Sequence, residues 1–216
     1  MAHQAPSGEG DAAEETLGGV TIRRRHLDRS AQEALAADLR DVIRQAPLLR
    51  PMTRWGKPMS VRMTAAGRLG WVIDRGRYRY SPTHPETGAP WPPIPAAILA
   101  VWNRVSGWTG PPDCCLVNWY GEGARMGLHV DNDEGEAAFA APVVSISLGD
   151  PARFRVGGLS RREPTRSTIL RSGDVAVMGG AARLAYHGID RVLFGEGDLF
   201  PEGGRINLTL RVVRSA

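Results

Sequence analysis

Three stretches of this 216-residue chain combine residue types that could do chemistry together. In Leu128-His129-Val130-Asp131 an imidazole and a carboxylate stand two residues apart, and on a strand that spacing turns both to one side. A second imidazole, His187, follows far downstream in Ala185-Tyr186-His187-Gly188. Two histidines and one carboxylate form a face of three ligands that leaves positions on Fe(II) open for a co-substrate and O2. The last apolar run, Arg205-Ile206-Asn207-Leu208-Thr209-Leu210-Arg211, alternates with period two. One face then carries Arg205, Asn207, Thr209 and Arg211, and the other Ile206, Leu208, Leu210 and Val212. If the polar face points inward it needs an anionic, acceptor-rich guest, and a small dicarboxylate would give each arginine fork one carboxylate. The two arginine Cα atoms are roughly 20 Å apart on an extended strand, so both side chains lean inward or one is the main anchor.

Such residues need a framework that gathers them. Ser30 with Glu33 reads as a capping box, and Leu35, Leu39, Val42 and Ile43 recur at helical spacing, so a helix is expected over 31–45. Pro95 in a first turn, a stripe of Ile98, Val101, Trp102 and Val105, and Gly107 as a stop mark a second. Between them, residues 50–93 are rich in Gly, Pro, Arg and aromatics and read as hairpins and loops outside the core. After Gly107 short β-type runs take over, at 115–120, 143–148, 152–156, 167–170, 174–178, 183–187 and 205–213. The succession implies an α+β, mainly β fold of the antiparallel sandwich or jelly-roll kind. Residues 1–20 are poor in large apolar side chains and are expected to be a disordered tail, with one domain over 21–216.

Composition narrows the setting. With 42% hydrophobic and 23% charged residues the chain can bury one sizeable core. It has no run of 18 apolar residues, and its first fifteen residues are polar and acidic, so a soluble cytoplasmic protein without a membrane partner is expected. The two cysteines, Cys114 and Cys115, are adjacent, which suits neither a disulfide framework nor a zinc clip; they read as reduced thiols. His3, His26 and His84 look like tail, loop or surface residues. Of the 27 cationic side chains only Lys57 is a lysine, and arginine grips phosphate and carboxylate through two bonds, so an anionic partner fits the net charge of +4.

Taken together, Asn118-Trp119-Tyr120, Leu128 to Glu134, Val144-Ser145-Ile146-Ser147-Leu148, Gly157-Gly158, Gly173-Asp174, Tyr186-His187-Gly188 and Arg205 to Arg211 closely resemble the AlkB family of Fe(II)/2-oxoglutarate dioxygenases. The likeness runs from about Met59 to Arg211 and is greatest to the bacterial members. It implies a double-stranded β-helix with N-terminal helices and a nucleotide-recognition lid, here within 45–93, and oxidative removal of alkyl groups from nucleobases. It further implies that His129, Asp131 and His187 hold Fe(II), and that Asn118, Tyr120, Arg205, Asn207 and Arg211 hold 2-oxoglutarate. In that pattern Arg205 takes the distal carboxylate and Arg211 the one nearer the iron. O2 is the second co-substrate, and the products are succinate, CO2, formaldehyde and the restored base.

For the substrate, the resemblance implies Trp71, Tyr78, Arg79, Tyr80, Asp133 and Arg161. The chemistry of the residues agrees. A base methylated at N1 of adenine or N3 of cytosine is cationic and pairs poorly, so it flips out easily, stacks on aromatic rings and attracts a carboxylate such as Asp133. Arg75, Arg77 and Arg79 interleaved with Tyr78 and Tyr80 suit a phosphate backbone with stacking platforms. The expected partner is alkylated single-stranded DNA, or RNA, met by a monomer. A dioxygenase of the same fold with another substrate would share the triad and the arginines, so only the lid discriminates. Met178 stands where the bacterial prototype has a tryptophan near the pocket, which removes a stacking ring.

Overall fold

In the computed structural model, which describes residues 13–53, 56–74 and 76–214, the elements follow in the order Glu14–Leu17 (β1), Val20–Arg23 (β2), Arg29–Gln45 (α1), Arg62–Gly67 (β3), Gly70–Asp74 (β4), Arg77–Ser81 (β5), Ala96–Val105 (α2), Cys114–Tyr120 (β6), Met126–His129 (β7), Val143–Gly149 (β8), Ala152–Val156 (β9), Arg166–Leu170 (β10), Val175–Met178 (β11), His187–Val192 (β12) and Arg205–Arg211 (β13). Among the described residues a seven-stranded antiparallel sheet, ordered β1-β2-β11-β8-β13-β6-β3, is joined by a four-stranded sheet, β10-β9-β12-β7. Strands β4 and β5 form a separate hairpin. This is the mainly β, jelly-roll architecture that the strand pattern implies.

Period-two alternation sorts the large sheet into two chemistries. From β13, β6 and β8, the residues Ile206, Leu208, Leu210, Cys115, Val117, Val144, Ile146 and Leu148 pack with Leu35, Leu39 and Val42 of α1 and Ile98, Val101 and Trp102 of α2. The opposite face looks between the sheets, where Leu116 and Tyr120 meet Phe154, Val156 and Ile189 of the smaller sheet. Every residue of β13 is buried, so its polar face has no water to fall back on and must be satisfied from within. Its register fixes the neighbours, with Asn207 opposite Asn118 on one side and Ser147 on the other.

Several expectations need correction. The segment expected as a tail folds from residue 13 onward: β1 and β2 turn through Gly18 and Gly19, both at positive φ, and β2 joins the large sheet through β11. A Gly-Gly pair supplies the φ > 0 that a two-residue hairpin needs, and it delivers Val20 and Ile22, both fully buried, to the core. Residues 1–12 lie outside the described residues. Helix α1 is capped by Asp28, whose carboxylate accepts from Ala31 N–H at 2.8 Å, and not by Ser30, which sits inside the first turn. Glu33 is engaged by Arg29 at 2.6 Å and closes no box.

Within the stretch expected to lie outside the core, β3 forms an edge of the large sheet and buries Met63, Ala65 and Ala66. Strands β4 and β5 form a hairpin of the kind expected there. The strand expected at 183–187 begins instead at His187. The residues before it turn, because Arg183 is drawn inward to donate to the carbonyls of Ala141 and Asp131. His84 is buried rather than at the surface: its Nδ1 accepts from the N–H of Glu86 and Thr87, and its Nε2 donates to Pro47 O.

One buried carboxylate organises the long connection from β12 to β13. Asp150 accepts from the N–H groups of Gly197 at 2.8 Å, Gly195 at 2.9 Å and Gly204 at 2.6 Å, and its carbonyl accepts from Arg205 Nη1 at 3.2 Å. A connection rich in glycine costs much entropy to order, and three amides turned onto one carboxylate offset it. Replacing Asp150 with Ala leaves those amides unsatisfied, so unfolding in urea is expected to show a loss of about 3 kcal/mol. A loss below about 0.5 kcal/mol would show that the connection is held by other means.

Candidate active site

A cavity of about 240 Å³ opens between the two sheets. Its walls include Asn118, Tyr120, His129, Asp131, His187, Arg205, Asn207 and Arg211, and its mouth is reached by Trp71, Tyr78 and Asp133. The fold therefore gathers residues as far apart in the chain as Trp71 and Arg211.

The two histidines meet as a register pair, His129 at the end of β7 and His187 at the start of β12. Their ring centroids are 4.5 Å apart. Strand β7 stops at His129, so Asp131 does not share a strand face with it as the sequence pattern implied; it sits just beyond the strand end. Its carboxylate nonetheless lies 3.6 Å from His129 Nε2 and 3.7 Å from His187 Nε2. Ligand atoms of the three residues all fall within 4.8 Å of one another. Each imidazole donates its Nδ1–H to a backbone carbonyl, Gly127 O and Ala185 O respectively, both at 3.0 Å. A carbonyl can only accept, so the proton stays on Nδ1 and the Nε2 lone pairs are left for an ion.

Electrostatics hold Asp131 and His187 in ligand form. Burial would raise the Asp131 carboxyl, but Arg211, with His187 and His129 beside it, outweighs burial and holds it well below the usual carboxylate range. Burial, and next the neighbouring His129, push His187 down to about 4, so it is a neutral imidazole at neutral pH. Asp131 Oδ2 is buried without a hydrogen-bond partner, a costly condition unless a cation takes it. A hard carboxylate with two imidazoles whose Nε2 atoms face it, open on one side to a cavity, fits Fe(II).

Beyond the triad the cavity wall is cationic. Arg211 Nη2 contacts Asp131 at 2.8 Å, and its Nη1 contacts Glu134 at 3.2 Å and donates to the Tyr80 hydroxyl at 3.1 Å. Arg205, fully buried, donates to Ser147 Oγ at 2.7 Å and to Asp150 O, yet its Nε is unpartnered, as are Arg211 Nε and Asn118 Oδ1. Burial lowers the Arg205 guanidinium to about 10, so it stays charged at neutral pH. Tyr120, pushed up to about 12 by burial, is a phenol and a donor. Asn207 is held by Ser145 Oγ and accepts from Thr209. Two buried guanidiniums with unsatisfied donors at separate points of one cavity match a guest with an anionic group at each end. Both arginines line the same cavity, so both side chains lean inward from the strand.

The residues expected to touch substrate divide. Trp71 stacks on Tyr78 with centroids 5.1 Å apart, and its indole N–H donates to Asp133 Oδ2 at 2.9 Å. All three reach the cavity. Tyr80 does not: its hydroxyl donates to Glu134 at 2.9 Å and accepts from Arg211, which places it in the charge network behind the cavity. Arg161 is exposed and donates to Leu128 O, next to His129. Arg79 is exposed on β5, and Arg75 lies outside the described residues. Met178 is buried in the cavity wall. Cys114 and Cys115 are free, buried and on opposite faces of β6; burial pushes Cys114 up to about 12 and Cys115 further, so neither is a thiolate.

Two residues of the network are given no site role by the sequence reading. Glu134, fully buried, is shared by Arg211, Tyr80 and Arg183, the last at 3.3 Å. Its sequence signal is its place at the end of the Leu128 to Glu134 motif, just after Asp133. Arg183 lay in a run that reads as strand, and nothing in that run marks it as buried.

A jelly roll with a two-histidine, one-carboxylate face beside buried arginines is the form of an iron- and 2-oxoglutarate-dependent oxygenase. The family model of the 2OG-Fe(II) oxygenase superfamily matches residues 19–211. Over 190 residues, 88% of this chain and 86% of the relative, it is 56% identical to the alpha-ketoglutarate-dependent dioxygenase AlkB homolog of Caulobacter vibrioides. Identity to alpha-ketoglutarate-dependent dioxygenase AlkB of Escherichia coli K12 is 42% over 198 residues, 90% of this chain and 89% of the relative. The solved structure of OsALKBH1 superposes with a TM-score of 0.78 at 28% identity, covering 93% of this chain and all of that one. Within the 2OG-Fe(II) oxygenase superfamily, the chain belongs to the AlkB family.

Asp131 is the ligand that ties the two histidines together. Asp131→Ala is expected to weaken Fe(II) binding at least about 100-fold with the β-sheet circular dichroism retained. Anaerobic titration reads this directly, and an unchanged affinity would remove Asp131 from the ligand set.

Proposed function

We propose that this protein oxidatively demethylates cationic alkylated bases, of the 1-methyladenine and 3-methylcytosine type, in single-stranded DNA or RNA. It acts as a monomer in the cytoplasm. The observation that carries the reading is the joining, in one cavity, of the His129-Asp131-His187 face with an aromatic pair and a carboxylate at the mouth. A cavity complete within one chain needs no second copy, and buried free thiols suit a reducing compartment.

With 2-oxoglutarate and O2, Fe(II) supplies the oxidant that hydroxylates an inert C–H bond. The chain's own part is to bind, orient and exclude. His129, Asp131 and His187 would hold the ion. Arg205, with Tyr120 and Asn118, would take the distal carboxylate of 2-oxoglutarate, and Arg211 the carboxylate beside the metal. Trp71 and Tyr78 offer rings over which a flipped cationic base stacks. Asp133 accepts from the exocyclic amino group and favours the positive ring. Phe154, Ile189 and Met178 close the apolar side and keep water from the reacting methyl. The hydroxymethyl product on nitrogen is a hemiaminal, which loses formaldehyde and leaves the unmodified base. Single strands fit because the base must leave its stack to enter.

Mass spectrometry of a short single-stranded oligonucleotide carrying 3-methylcytosine, incubated with protein, Fe(II), ascorbate and 2-oxoglutarate, tests the proposal. The expected result is loss of one methyl group with stoichiometric succinate, abolished by chelation. Succinate without change in the oligonucleotide would leave the dioxygenase and refute the substrate. Arg211→Ala is expected to raise the 2-oxoglutarate KM at least about 30-fold while changing oligonucleotide affinity little. Equal losses in both would show that Arg211 does not single out the co-substrate.

A further inference from the structure

Trp71 and Asp133 come from distant parts of the chain, the first from β4 and the second from the turn just past the triad. They meet through the 2.9 Å hydrogen bond from indole Nε1–H to Asp133 Oδ2. Asp133 is exposed at the cavity mouth, where an untethered carboxylate would sample several rotamers. The indole is a donor only, so the bond engages one carboxylate oxygen and leaves the other for a guest. The ring itself is fixed, since it stacks on Tyr78 with an interplanar angle of 26° across the β4–β5 hairpin. The direction of the N–H is thereby set by the hairpin and not by Asp133.

We infer that the Trp71 indole N–H is a positioning donor that orients the Asp133 carboxylate, so that its second oxygen selects bases bearing an exocyclic amino group over bases with a carbonyl at that place. The inference rests on the reading of the cavity as a nucleobase site. On 3-methylcytosine the amino N–H meets an acceptor, and the ring is cationic. On 3-methylthymine a carbonyl oxygen would face a carboxylate oxygen, acceptor against acceptor. A carboxylate free to rotate escapes that conflict by turning into water, and it loses the matched bond as easily. Selectivity therefore depends on the tether as well as on the charge.

The test compares kcat/KM for single-stranded oligonucleotides carrying 3-methylcytosine or 3-methylthymine. Trp71→Phe keeps an aromatic face for Tyr78 and the base but lacks the N–H. Its preference for 3-methylcytosine is expected to fall about tenfold, and adding Asp133→Ala to it should lower the preference by less than Asp133→Ala does with Trp71 intact, since only the charge is then left to lose. Equal loss on both probes, or effects of the two substitutions that multiply, would overturn the inference. Asp133→Asn gives an independent arm with Trp71 intact. The indole then takes the amide oxygen, the NH2 faces the base, and the preference is expected to shift toward 3-methylthymine. Adding Trp71→Phe should cancel the shift; an Asn variant that keeps the original preference, or loses both activities alike, contradicts the tether. Wild-type turnover of neither probe would instead refute the nucleobase reading, so the two failures are distinguishable.

Discussion

Arg211 is held out of water between two carboxylates, Asp131 at 2.8 Å and Glu134 at 3.2 Å. Removing such ions from water costs several kcal/mol each, and attraction repays it only where geometry and further hydrogen bonds are good. Here they are supplied from several elements: Tyr80 from the β4–β5 hairpin, Arg183 from the turn before β12, and Asp131 and Glu134 from the segment after β7. Removing the guanidinium would take from Asp131 its arginine partner and leave Glu134 with Arg183 and Tyr80 alone. The arrangement fixes the carboxylate that faces the two histidines and at the same time leaves Arg211 Nε unpartnered.

That network also ties the two ends of the site together. Asp133 and Glu134 are adjacent residues that clasp the two strands of one hairpin, the first through Trp71 of β4 and the second through Tyr80 of β5. The Tyr80 bond is partly buried and the Trp71 bond is exposed, so the hairpin is held at an inner and an outer point. The inner point adjoins Arg211 and the outer one the cavity mouth. Strand β13 contributes in another way: its apolar face locks onto the helices while its polar face is forced inward, so packing of Leu208 and Leu210 fixes where Arg205 and Arg211 stand.

Much of this was legible in the sequence because period two is a strong signal where one face is apolar. Alternation in Arg205–Arg211 marks both faces of β13 correctly, and the runs at 115–120, 143–148 and 152–156 fall on β6, β8 and β9. The signal failed where a different constraint ruled. Strand β3, Arg-Met-Thr-Ala-Ala-Gly, has small residues on both faces and sits among turn formers, so its burial is visible only once β6 is beside it. The Gly18-Gly19 turn lay in a stretch whose composition reads as tail, although the turn chemistry was there to be read. Asp131 and Arg183 act from irregular segments, where periodicity says nothing about direction. Glu134 and Asp150 show why buried acids escape such a reading: their partners are backbone amides and arginines from remote positions, and no local spacing records them.

One cavity would bind a metal at His129, Asp131 and His187 and, as its neighbour, a dicarboxylate at Arg205 and Arg211. Neighbouring ligands that contact each other must bind with reciprocal coupling. The most direct measurement is an anaerobic calorimetric titration of 2-oxoglutarate into the protein with and without Fe(II), and of Fe(II) with and without 2-oxoglutarate. The account predicts that each ligand tightens the other by the same factor, about tenfold or more. Affinities for 2-oxoglutarate that are the same in the presence and absence of the metal would contradict it.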